Sequence, residues 1–379
     1  MAQAFPLIEL SGPPAERGLV YGRLAGERIA RGAKHYNAQL ERLGFDADGV
    51  AALVERLVPA IEAFDPSYVV EMRAIAKGAE VPFATVALLN ARTEILKLAK
   101  HESDRRGARP DTDPDGCTTA VILPEASASG RLIHAQNWDW KVECAETGVV
   151  LHILREDGPD ILTFTEAGGL ARSGCNAAGI AVTANYLESD RDYRTLGVPL
   201  ALIRRKALES AHFAHALRIV ATTPKSASNN IVVSHASGLV FNFECAPDEA
   251  FTVAPESGLL VHANHWLSPV ALAKLRDTGM AAMPDSLYRD LRVRQVLAAK
   301  GRRLTPDDVK EALFDDLLTP WSVCRPPRES FTDNLTATVA MLVIDPAEGV
   351  MEIAPLPALQ RAFTTYRLQR PPVAARSAA

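Results

Sequence analysis

The sequence predicts a layered α+β fold with antiparallel strands, and three observations support this prediction. Apolar residues recur at helical spacing through about the first hundred residues, as at Val50, Leu53, Val54, Leu57 and Ile61. From residue 117 onward the apolar period becomes two, which is typical of strands. Runs of predicted strands then alternate with runs of predicted helices, an order that favours separate layers of sheet and helix.

Each predicted element ends at residues that interrupt helices or strands, such as the turn at 156–160 and the Thr-Thr-Pro at 222–224. The predicted helices are 15–37, 50–63, 66–79, 84–98, 200–221, 285–299 and 306–318. The predicted strands are 117–123, 131–136, 149–155, 161–165, 180–184, 231–234, 239–245, 250–253, 258–262, 336–344 and 350–355. Pro59 is in mild conflict with the second helix. The tail 369–379 is predicted to be disordered.

Composition excludes several classes of protein. With 379 residues, 47% of them hydrophobic, the chain can bury a large core. Its net charge of −5 and the lack of a basic stripe with interleaved aromatics argue against a nucleic-acid partner. Five widely spaced cysteines suggest neither a disulfide framework nor a zinc ribbon. No targeting segment and no run of 18 apolar residues is present, so we expect a cytoplasmic protein without a membrane partner.

A Gly-Cys bond separates a charged segment rich in Pro and Gly, residues 102–114, from the predicted strand 117–123. A chain cut between Gly116 and Cys117 would begin with a cysteine. An α-amine titrates at about 7.7–8.0 and a free thiol at about 8.5, so one can exchange a proton with the other near neutral pH. The sequence therefore offers a nucleophile that carries its own base. A small buried hydrophobe is the structural alternative for this cysteine.

A predicted hairpin returns Asp139 to the beginning of the strand that holds Cys117. Strands 117–123 and 131–136 are of about equal length and are joined by a turn at 127–130. Trp138 and Trp140 flank Asp139 and should exclude water, which strengthens charge pairing. We expect the Asp139 carboxylate to hydrogen-bond the free α-amine or to orient the thiol. A turn or capping carboxylate is the alternative.

Several motifs resemble those of the isopenicillin N acyltransferase-like family of N-terminal nucleophile hydrolases, which activate themselves by cleaving a Gly-Cys bond. The specific element is Gly-Cys-Thr-Thr at 116–119 with Gln-Asn-Trp-Asp at 136–139. The supporting motifs are Thr-Glu-Ala-Gly at 165–168, Asn-Ala-Ala-Gly at 176–179, His-Ala-Asn-His at 262–265, Ser-Val-Cys-Arg at 322–325, Gly-Pro-Pro-Ala-Glu-Arg-Gly at 12–18 and Tyr-Gly at 21–22. The resemblance covers most of the chain.

This resemblance implies a four-layer αββα sandwich and self-cleavage between Gly116 and Cys117. Residues 1–116 would be a helical pro-segment that becomes the small subunit. Residues 117–379 would form the catalytic large subunit, packed with the small subunit as one unit. In this family pattern Cys117 is the nucleophile and Asp139 matches the aspartate of Gln-Asn-Trp-Asp.

Three further side chains are predicted to belong to the site. Asn264 follows the strand 258–262 and matches the family's oxyanion asparagine, whose amide donates to the developing negative charge. Asn185 follows the strand 180–184 and is a second oxyanion candidate, through its backbone N–H or its side chain. Arg325 could hold Asp139 or a substrate carboxylate through two hydrogen bonds. The structural alternatives are turn residues for both asparagines and a surface guanidinium for Arg325.

The sequence is compatible with three functions. The first is an autoproteolytic amidase or acyltransferase that forms a thioester on Cys117. The second is a papain-type cysteine hydrolase that pairs Cys117 with His262 or His265 and is not cut. The third is a non-catalytic binding protein on the same fold. Only the first requires a free α-amine at Cys117, so processing separates it from the others.

The expected partner is a small-molecule amide or acyl-thioester substrate, besides the two subunits of one precursor. Hydrolysis of a small amide is the default, because water is always present as an acceptor, and acyl transfer is left open. The sequence holds no coenzyme A motif, and no cofactor or metal is predicted, because a His-x-x-His pair without a carboxylate or thiol partner is a weak metal signal. The identity of the substrate and a homo-oligomeric state are left open.

Overall fold

Two β-sheets lie face to face, and helices cover their outer surfaces. The computed structural model describes residues 3–105, 116–329 and 335–368, so the predicted disorder of 369–379 and most of the charged segment before Gly116 lie outside the described residues. The helices are α1 Pro14–Arg42, α2 Ala47–Glu55, α3 Val58–Phe64, α4 Pro66–Gly78, α5 Phe83–Asn90, α6 Arg92–Arg105, α7 Leu200–Leu208, α8 Phe213–Thr222, α9 Pro269–Leu272, α10 Asp285–Ala299 and α11 Pro306–Leu313.

The strands are β1 Leu7–Leu10, β2 Gly116–Ile122, β3 Ile133–Lys141, β4 Gly148–Ile153, β5 Ile161–Glu166, β6 Ser173–Asn176, β7 Ile180–Tyr186, β8 Asn229–His235, β9 Val240–Cys245, β10 Ala250–Val253, β11 Leu259–His262, β12 Arg328–Glu329, β13 Leu335–Asp345, β14 Val350–Pro355 and β15 Thr364–Arg367. The first sheet has the order β1-β4-β5-β6-β7-β8-β9-β10. The second has the order β11-β2-β3-β13-β14-β15, with β12 paired to β13.

The layers confirm the predicted αββα sandwich. Helices α7 and α8 pack on β6 to β9 of the first sheet, whereas α10 and α11 pack on β2, β3, β11 and β13 of the second. The two sheets contact each other through β2 and β7. All pairings except the parallel β1–β4 pair are antiparallel among the described strands.

Three of the predicted long helices are each two helices. The predicted helix 50–63 divides into α2 and α3, and Pro59 lies in the first turn of α3, where its missing N–H removes no helical hydrogen bond. The predicted helix 84–98 divides at Ala91, whose φ of −126° ends α5. The predicted helix 200–221 divides before His212, which is extended at φ −121° and ψ 130°. The apolar spacing continues across each break, so periodicity alone did not reveal it.

Four short strands were not predicted. Strand β1 precedes α1 and pairs with β4, so the part of the chain before Gly116 contributes to the first sheet as well as supplying helices. Strand β6 has the sequence Ser-Gly-Cys-Asn, without the β-branched residues that mark strands. A side chain at Gly174 would collide with the carbonyl of Leu162 on β5, which explains the glycine. Strands β12 and β15 have two and four residues, too few to show a period.

Helices α1 and α4 cross at close range because three glycines lie at the crossing. A Cβ added at Gly18 would lie 2.6 Å from the carbonyl oxygen of Glu71, and one at Gly22 would lie 2.8 Å from the amide nitrogen of Ala79. Gly78 on α4 faces the backbone of α1 in the same way. In the described ranges, none of the helices combines the length and apolar character needed to span a bilayer.

We predict that Gly22→Ala lowers the free energy of unfolding by about 1–3 kcal/mol, because the added methyl group meets rigid backbone atoms of α4. Gly26→Ala is the matched control on the same helix. Its Cβ would lie 3.7 Å from the Cα of Ala79, an ordinary contact, and replacing a helical glycine by alanine stabilises a helix by about 0.5–1 kcal/mol. Urea denaturation of both variants measures the difference. Equal stability of the two would contradict the close crossing.

Candidate active site

The hairpin of β2 and β3 brings Cys117 and Asp139 together. Gly116 pairs directly with Asp139, and Cys117 pairs with Trp138, so the predicted return of the hairpin is confirmed. Cys117 and Thr119 lie on the same face of β2 because side chains alternate along a strand. Thr119 contacts Thr183 on the opposite sheet, so this face is directed into the space between the two sheets. Cys117 is fully buried there.

Three side chains contact Cys117, one at each of its polar positions. The amide oxygen Oδ1 of Asn264 accepts a hydrogen bond from the Cys117 backbone nitrogen at 2.8 Å. A guanidinium nitrogen of Arg289 donates to the Cys117 carbonyl oxygen at 2.7 Å. A guanidinium nitrogen of Arg172 lies 3.9 Å from Sγ. The nitrogen, carbonyl and thiol of the candidate nucleophile are therefore each held by a separate element of the fold.

The orientation of the Asn264 amide follows from its neighbours. Oδ1 faces two donors, the Cys117 backbone N–H and Arg289 at 2.8 Å, while Nδ2 donates to the carbonyl oxygen of Tyr186 at 2.9 Å. Ser286 fixes the backbone by accepting from the Asn264 N–H at 2.6 Å. The sequence predicted that the amide N–H of Asn264 would point at a reacting oxygen. In the structure the acceptor oxygen of this amide faces the Cys117 nitrogen instead.

Asp139 and Arg325 meet beside Gly116. Oδ1 of Asp139 accepts from Thr338 at 2.6 Å, and Oδ2 lies 3.4 Å from Nε of Arg325. Oδ2 is buried and receives no hydrogen bond from the described residues. Arg325 also forms a close ion pair with Asp285, so it bridges two carboxylates instead of holding one through two bonds. Burial and the nearby Arg289 lower the pKa of Arg325.

Gly116 is required by this close approach. A Cβ at this position would lie 2.9 Å from Oδ2 of Asp139 and 3.0 Å from a guanidinium nitrogen of Arg325. Only a residue without a side chain lets both charged groups reach the backbone next to Cys117.

The Asn185 side chain joins the two sheets. Its Nδ2 donates to the carbonyl oxygens of His262 and Ala263 at 2.8 and 3.0 Å, and its Oδ1 accepts from Thr119 and Gln136 at 2.8 and 2.9 Å. Both amide hydrogens are therefore in use. The side-chain route of the predicted oxyanion role is not supported by these contacts, and the backbone N–H route stays a prediction.

His262 and His265 are bound to partners other than the thiol. Nε2 of His262 lies 2.8 Å from a carboxylate oxygen of Glu244. Nδ1 of His265 lies 2.8 Å from the hydroxyl of Ser286. Burial lowers the pKa of His265 to about 4, so this imidazole is neutral at pH 7. Within the described part of the chain, no cluster of three or more His, Cys, Asp or Glu is arranged to hold a metal ion.

Sequence reasoning missed Arg289 and Arg172. Arg289 is fully buried on α10 and lies four and eight residues before the buried Val293 and Leu297, so it occupies the apolar stripe of its helix. A charged residue at an apolar position of a helix is visible in the sequence and indicates a buried charge. Arg172 lies in the loop between β5 and β6, where no periodic pattern marks it, so only the tertiary fold brings it to Cys117.

Comparisons with known proteins agree with this architecture. A family model described as acyl-coenzyme A:6-aminopenicillanic acid acyl-transferase matches residues 126–355. The acyl-coenzyme A:6-aminopenicillanic-acid-acyltransferase 40 kDa form of Emericella nidulans is 30% identical over 342 residues, which cover 85% of this chain and 85% of that protein.

Two solved structures are similar to this chain at lower sequence identity. A variant of conjugated bile acid hydrolase from Clostridium perfringens aligns with a TM-score of 0.48 and 9% identity, covering 66% of this chain and 92% of that one. Penicillin V acylase from Agrobacterium tumefaciens aligns with a TM-score of 0.43 and 16% identity, covering 67% of this chain and 87% of that one.

We predict that acid destabilises the protein through His134, which lies between the sheets near the site. Its ring nitrogens each lie 2.8 Å from a hydroxyl, those of Ser234 and Thr183, and burial lowers its pKa to about 3. Below pH 6.5 the unfolded chain binds a proton that the folded chain does not. Stability is therefore lost as the pH falls from 6.5 towards 3, by about 1.4 kcal/mol per pH unit.

Urea unfolding at pH 7 and pH 5 measures this loss, and the share due to His134 is about 2 kcal/mol. His134→Gln keeps a hydrogen-bonding side chain without a titrating group and should reduce the pH dependence by that amount. His215→Gln, at an exposed position, is the control. An unchanged pH dependence in His134→Gln would contradict the assignment.

Proposed function

Because the chain belongs to the acyl-coenzyme A:6-aminopenicillanic acid acyl-transferase family, we propose that it is an autoproteolytic cysteine enzyme of the N-terminal nucleophile class. The family places it among enzymes that act on carbon–nitrogen bonds, as acyltransferases or amide hydrolases. The proposal adds self-cleavage at Gly116–Cys117 and catalysis by the thiol so released. The main support for self-cleavage and thiol catalysis is that Asn264, Arg289 and Arg172 contact the nitrogen, carbonyl and sulfur of Cys117.

Self-cleavage begins with attack of the Cys117 sulfur on the carbonyl carbon of Gly116. The thiol proton passes to the departing Cys117 nitrogen, the carbon–nitrogen bond breaks, and a thioester joins Gly116 to Sγ. Water then hydrolyses the thioester, which releases the Gly116 carboxylate and regenerates the thiol. Arg289 holds the Cys117 carbonyl and Asn264 holds its nitrogen, so the attacking residue is fixed on both sides of its Cα.

Asp139 and Asn264 then stabilise the new α-amine. Asn264 Oδ1 already accepts from the Cys117 nitrogen at 2.8 Å, and Asp139 lies opposite the neighbouring Gly116 with a buried oxygen that receives no hydrogen bond from the described residues. An ammonium group formed at this position satisfies that carboxylate oxygen. Arg325 limits how much negative charge accumulates, because it lies between Asp139 and Asp285.

Catalysis on an external substrate repeats the same chemistry. The α-amine takes the thiol proton, the thiolate attacks the acyl carbonyl, and the proton leaves with the departing amine. Water, or a second amine, accepts the acyl group from the thioester. Hydrolysis of a small amide is the default activity that we propose, and transfer to an amine is the variant of the same intermediate. A papain-type mechanism is less consistent with the site, because Glu244 and Ser286 engage the two histidines.

We propose that residues 1–116 and 117–379 remain together after the cut. Strand β1 is paired with β4, so the first sheet contains both pieces. Arg92 of α6 forms a buried ion pair with Glu166 of β5 at 2.8 Å. Tyr36 of α1 donates to the same carboxylate at 2.6 Å and accepts from the indole of Trp140 at 2.9 Å. Separating the pieces would expose this polar cluster and a shared core.

We predict self-cleavage into pieces of about 12 and 28 kDa, by proportion of the 40.9 kDa chain. The larger piece should begin with Cys117. Cys117→Ala should remain uncut, because it lacks the attacking sulfur, and Cys324→Ala is the matched control that should cut normally. Intact mass and amino-terminal sequencing read both outcomes. Full-length active protein would rule out the mechanism, and cleavage of Cys117→Ala at this bond would point to a host protease.

We predict that Asn264→Ala folds but loses roughly 100-fold in turnover, because the Cys117 nitrogen, which is the proposed base, loses the acceptor that positions it. His265→Ala should lower turnover little, because the neutral His265 imidazole hydrogen-bonds the Ser286 hydroxyl. Turnover is measured on fully processed protein, with cleavage checked by mass. Loss of activity in His262→Ala or His265→Ala, with Asn264→Ala near wild type, would favour the papain-type reading instead.

A further inference from the structure

The loop between β5 and β6, residues 167–172, is held by side chains that precede the proposed cut. One of them is Tyr21 of α1, which is fully buried and points its hydroxyl at the loop. This hydroxyl accepts a hydrogen bond from the Gly168 N–H at 2.8 Å and donates one to the Gly169 carbonyl oxygen at 3.1 Å. Burial raises the pKa of Tyr21 far above its ordinary value, so the hydroxyl keeps the proton that it donates.

Asn90, the last residue of α5, binds the same loop with both ends of its side-chain amide. Its Nδ2 donates to the Gly168 carbonyl oxygen at 2.8 Å, and its Oδ1 accepts from the Leu170 N–H at 2.8 Å. The loop also packs closely on this helix, because a Cβ added at Gly168 would lie 2.8 Å from the side chain of Leu89. Both α1 and α5 therefore contact the loop directly.

All six backbone N–H and C=O groups of residues 168–170 are hydrogen-bonded. Tyr21 and Asn90 bind four of them. The fifth, an N–H, donates to the Glu166 carbonyl oxygen at 2.9 Å, and the sixth, a carbonyl oxygen, accepts from Arg205 of α7 at 3.1 Å. A buried backbone group without a partner is unfavourable, so these bonds give the loop one preferred conformation.

The loop ends at Arg172, whose guanidinium lies beside the candidate nucleophile. One guanidinium nitrogen is 3.9 Å from Sγ of Cys117, and the group stacks 4.1 Å from the ring centre of Trp138. Arg172 follows Leu170 by two residues, so a shift of the loop moves the guanidinium. A positive charge at this distance from a thiol favours the thiolate.

Other charged groups face Cys117 from other elements. Arg289 of α10 binds its carbonyl oxygen. Arg325, which precedes β12, forms ion pairs with Asp139 of β3 and Asp285 of α10. After the cut, the α-amine of Cys117 is a further titrating group. The loop, in contrast, connects two strands of the first sheet, so the effect of its arginine can be varied separately from these groups.

We propose that Tyr21 and Asn90 are positioning residues that act on Cys117 through Arg172, so that the piece before the cut forms part of the active site of the processed enzyme. This inference rests on the proposed function. It extends that function from two pieces that remain together to two pieces that share one site.

The experiment measures the Cys117 thiolate by its ultraviolet absorbance as a function of pH, with each protein compared to its own Cys117→Ala counterpart. Arg172→Gln should raise the midpoint of this titration by about one pH unit, because a nearby positive charge is lost. Tyr21→Phe keeps the ring and removes only the hydroxyl, and it should raise the midpoint by a smaller amount. Asn90→Ala is the second variant and should give the same pattern as Tyr21→Phe.

A double variant tests whether Tyr21 acts through Arg172. In the Arg172→Gln background, Tyr21→Phe should add no further shift. In the processed enzyme, Tyr21→Phe should lower kcat roughly 10-fold and change KM less than about twofold, because the thiol and not the substrate loses its positioning.

Tyr366→Phe is the matched control. The buried Tyr366 hydroxyl also joins the two pieces, by donating to the Phe5 carbonyl oxygen at 2.6 Å, but Tyr366 lies on β15 of the second sheet. This variant should leave the midpoint and kcat unchanged.

An unchanged midpoint in Tyr21→Phe or in Arg172→Gln, or shifts that add in the double variant, would overturn the positioning role. An equal shift in Tyr366→Phe would overturn it as well, since it would show a general loosening of the two pieces. The expected shifts in a protein without turnover would contradict the proposed function and support the positioning role. Normal turnover with unmoved midpoints would do the reverse.

Discussion

The buried guanidinium of Arg289 is the group on which the geometry of the site depends. It donates to the Cys117 carbonyl, to the Thr118 hydroxyl and to Oδ1 of Asn264, and it is paired with Asp285 one helical turn away. One side chain thereby connects α10 to β2 and to the segment after β11. Removing one partner of a buried charge pair usually lowers the free energy of unfolding by about 3–5 kcal/mol, so loss of this connection should destabilise the fold. The position of Cys117 is therefore set by helix packing as much as by its own strand.

Opposite charges are paired around the buried Gly116–Cys117 bond. Arg289 and Arg325 face Asp139 and Asp285, and Arg172 is a third positive group, 3.9 Å from the Cys117 sulfur. The space between the sheets is also polar near the site. Gln136 there receives a hydrogen bond from Ser173 and donates to Asn185, which ties the strands on both sides of the thiol. Such fully bonded networks hold side chains in a single arrangement, which a reaction needs more than it needs extra stability.

The sequence was most informative where local geometry decides the structure. A two-strand hairpin with a short turn has few possible registers, so the approach of Asp139 to the Cys117 end followed from strand length alone. The layered α+β class followed from the change of apolar period at residue 117, whereas the αββα order of the layers was implied by the family resemblance. Helix breaks such as that at Ala91 were missed because the apolar spacing continues through them. Arg172 and Arg289 are 55 and 172 residues away from Cys117, and no local pattern brings such distant residues to one thiol.

A trapped acyl-enzyme would test most directly whether Cys117 performs the chemistry. The processed enzyme is mixed with an amide substrate, quenched in acid within one turnover, and digested for peptide mass mapping. A thioester on Sγ of an amino-terminal Cys117, removable by hydroxylamine, is the result that the proposed mechanism predicts. Acylation of another residue such as Cys324, or turnover by a chain in which Cys117 still follows Gly116 in an intact peptide bond, would contradict it.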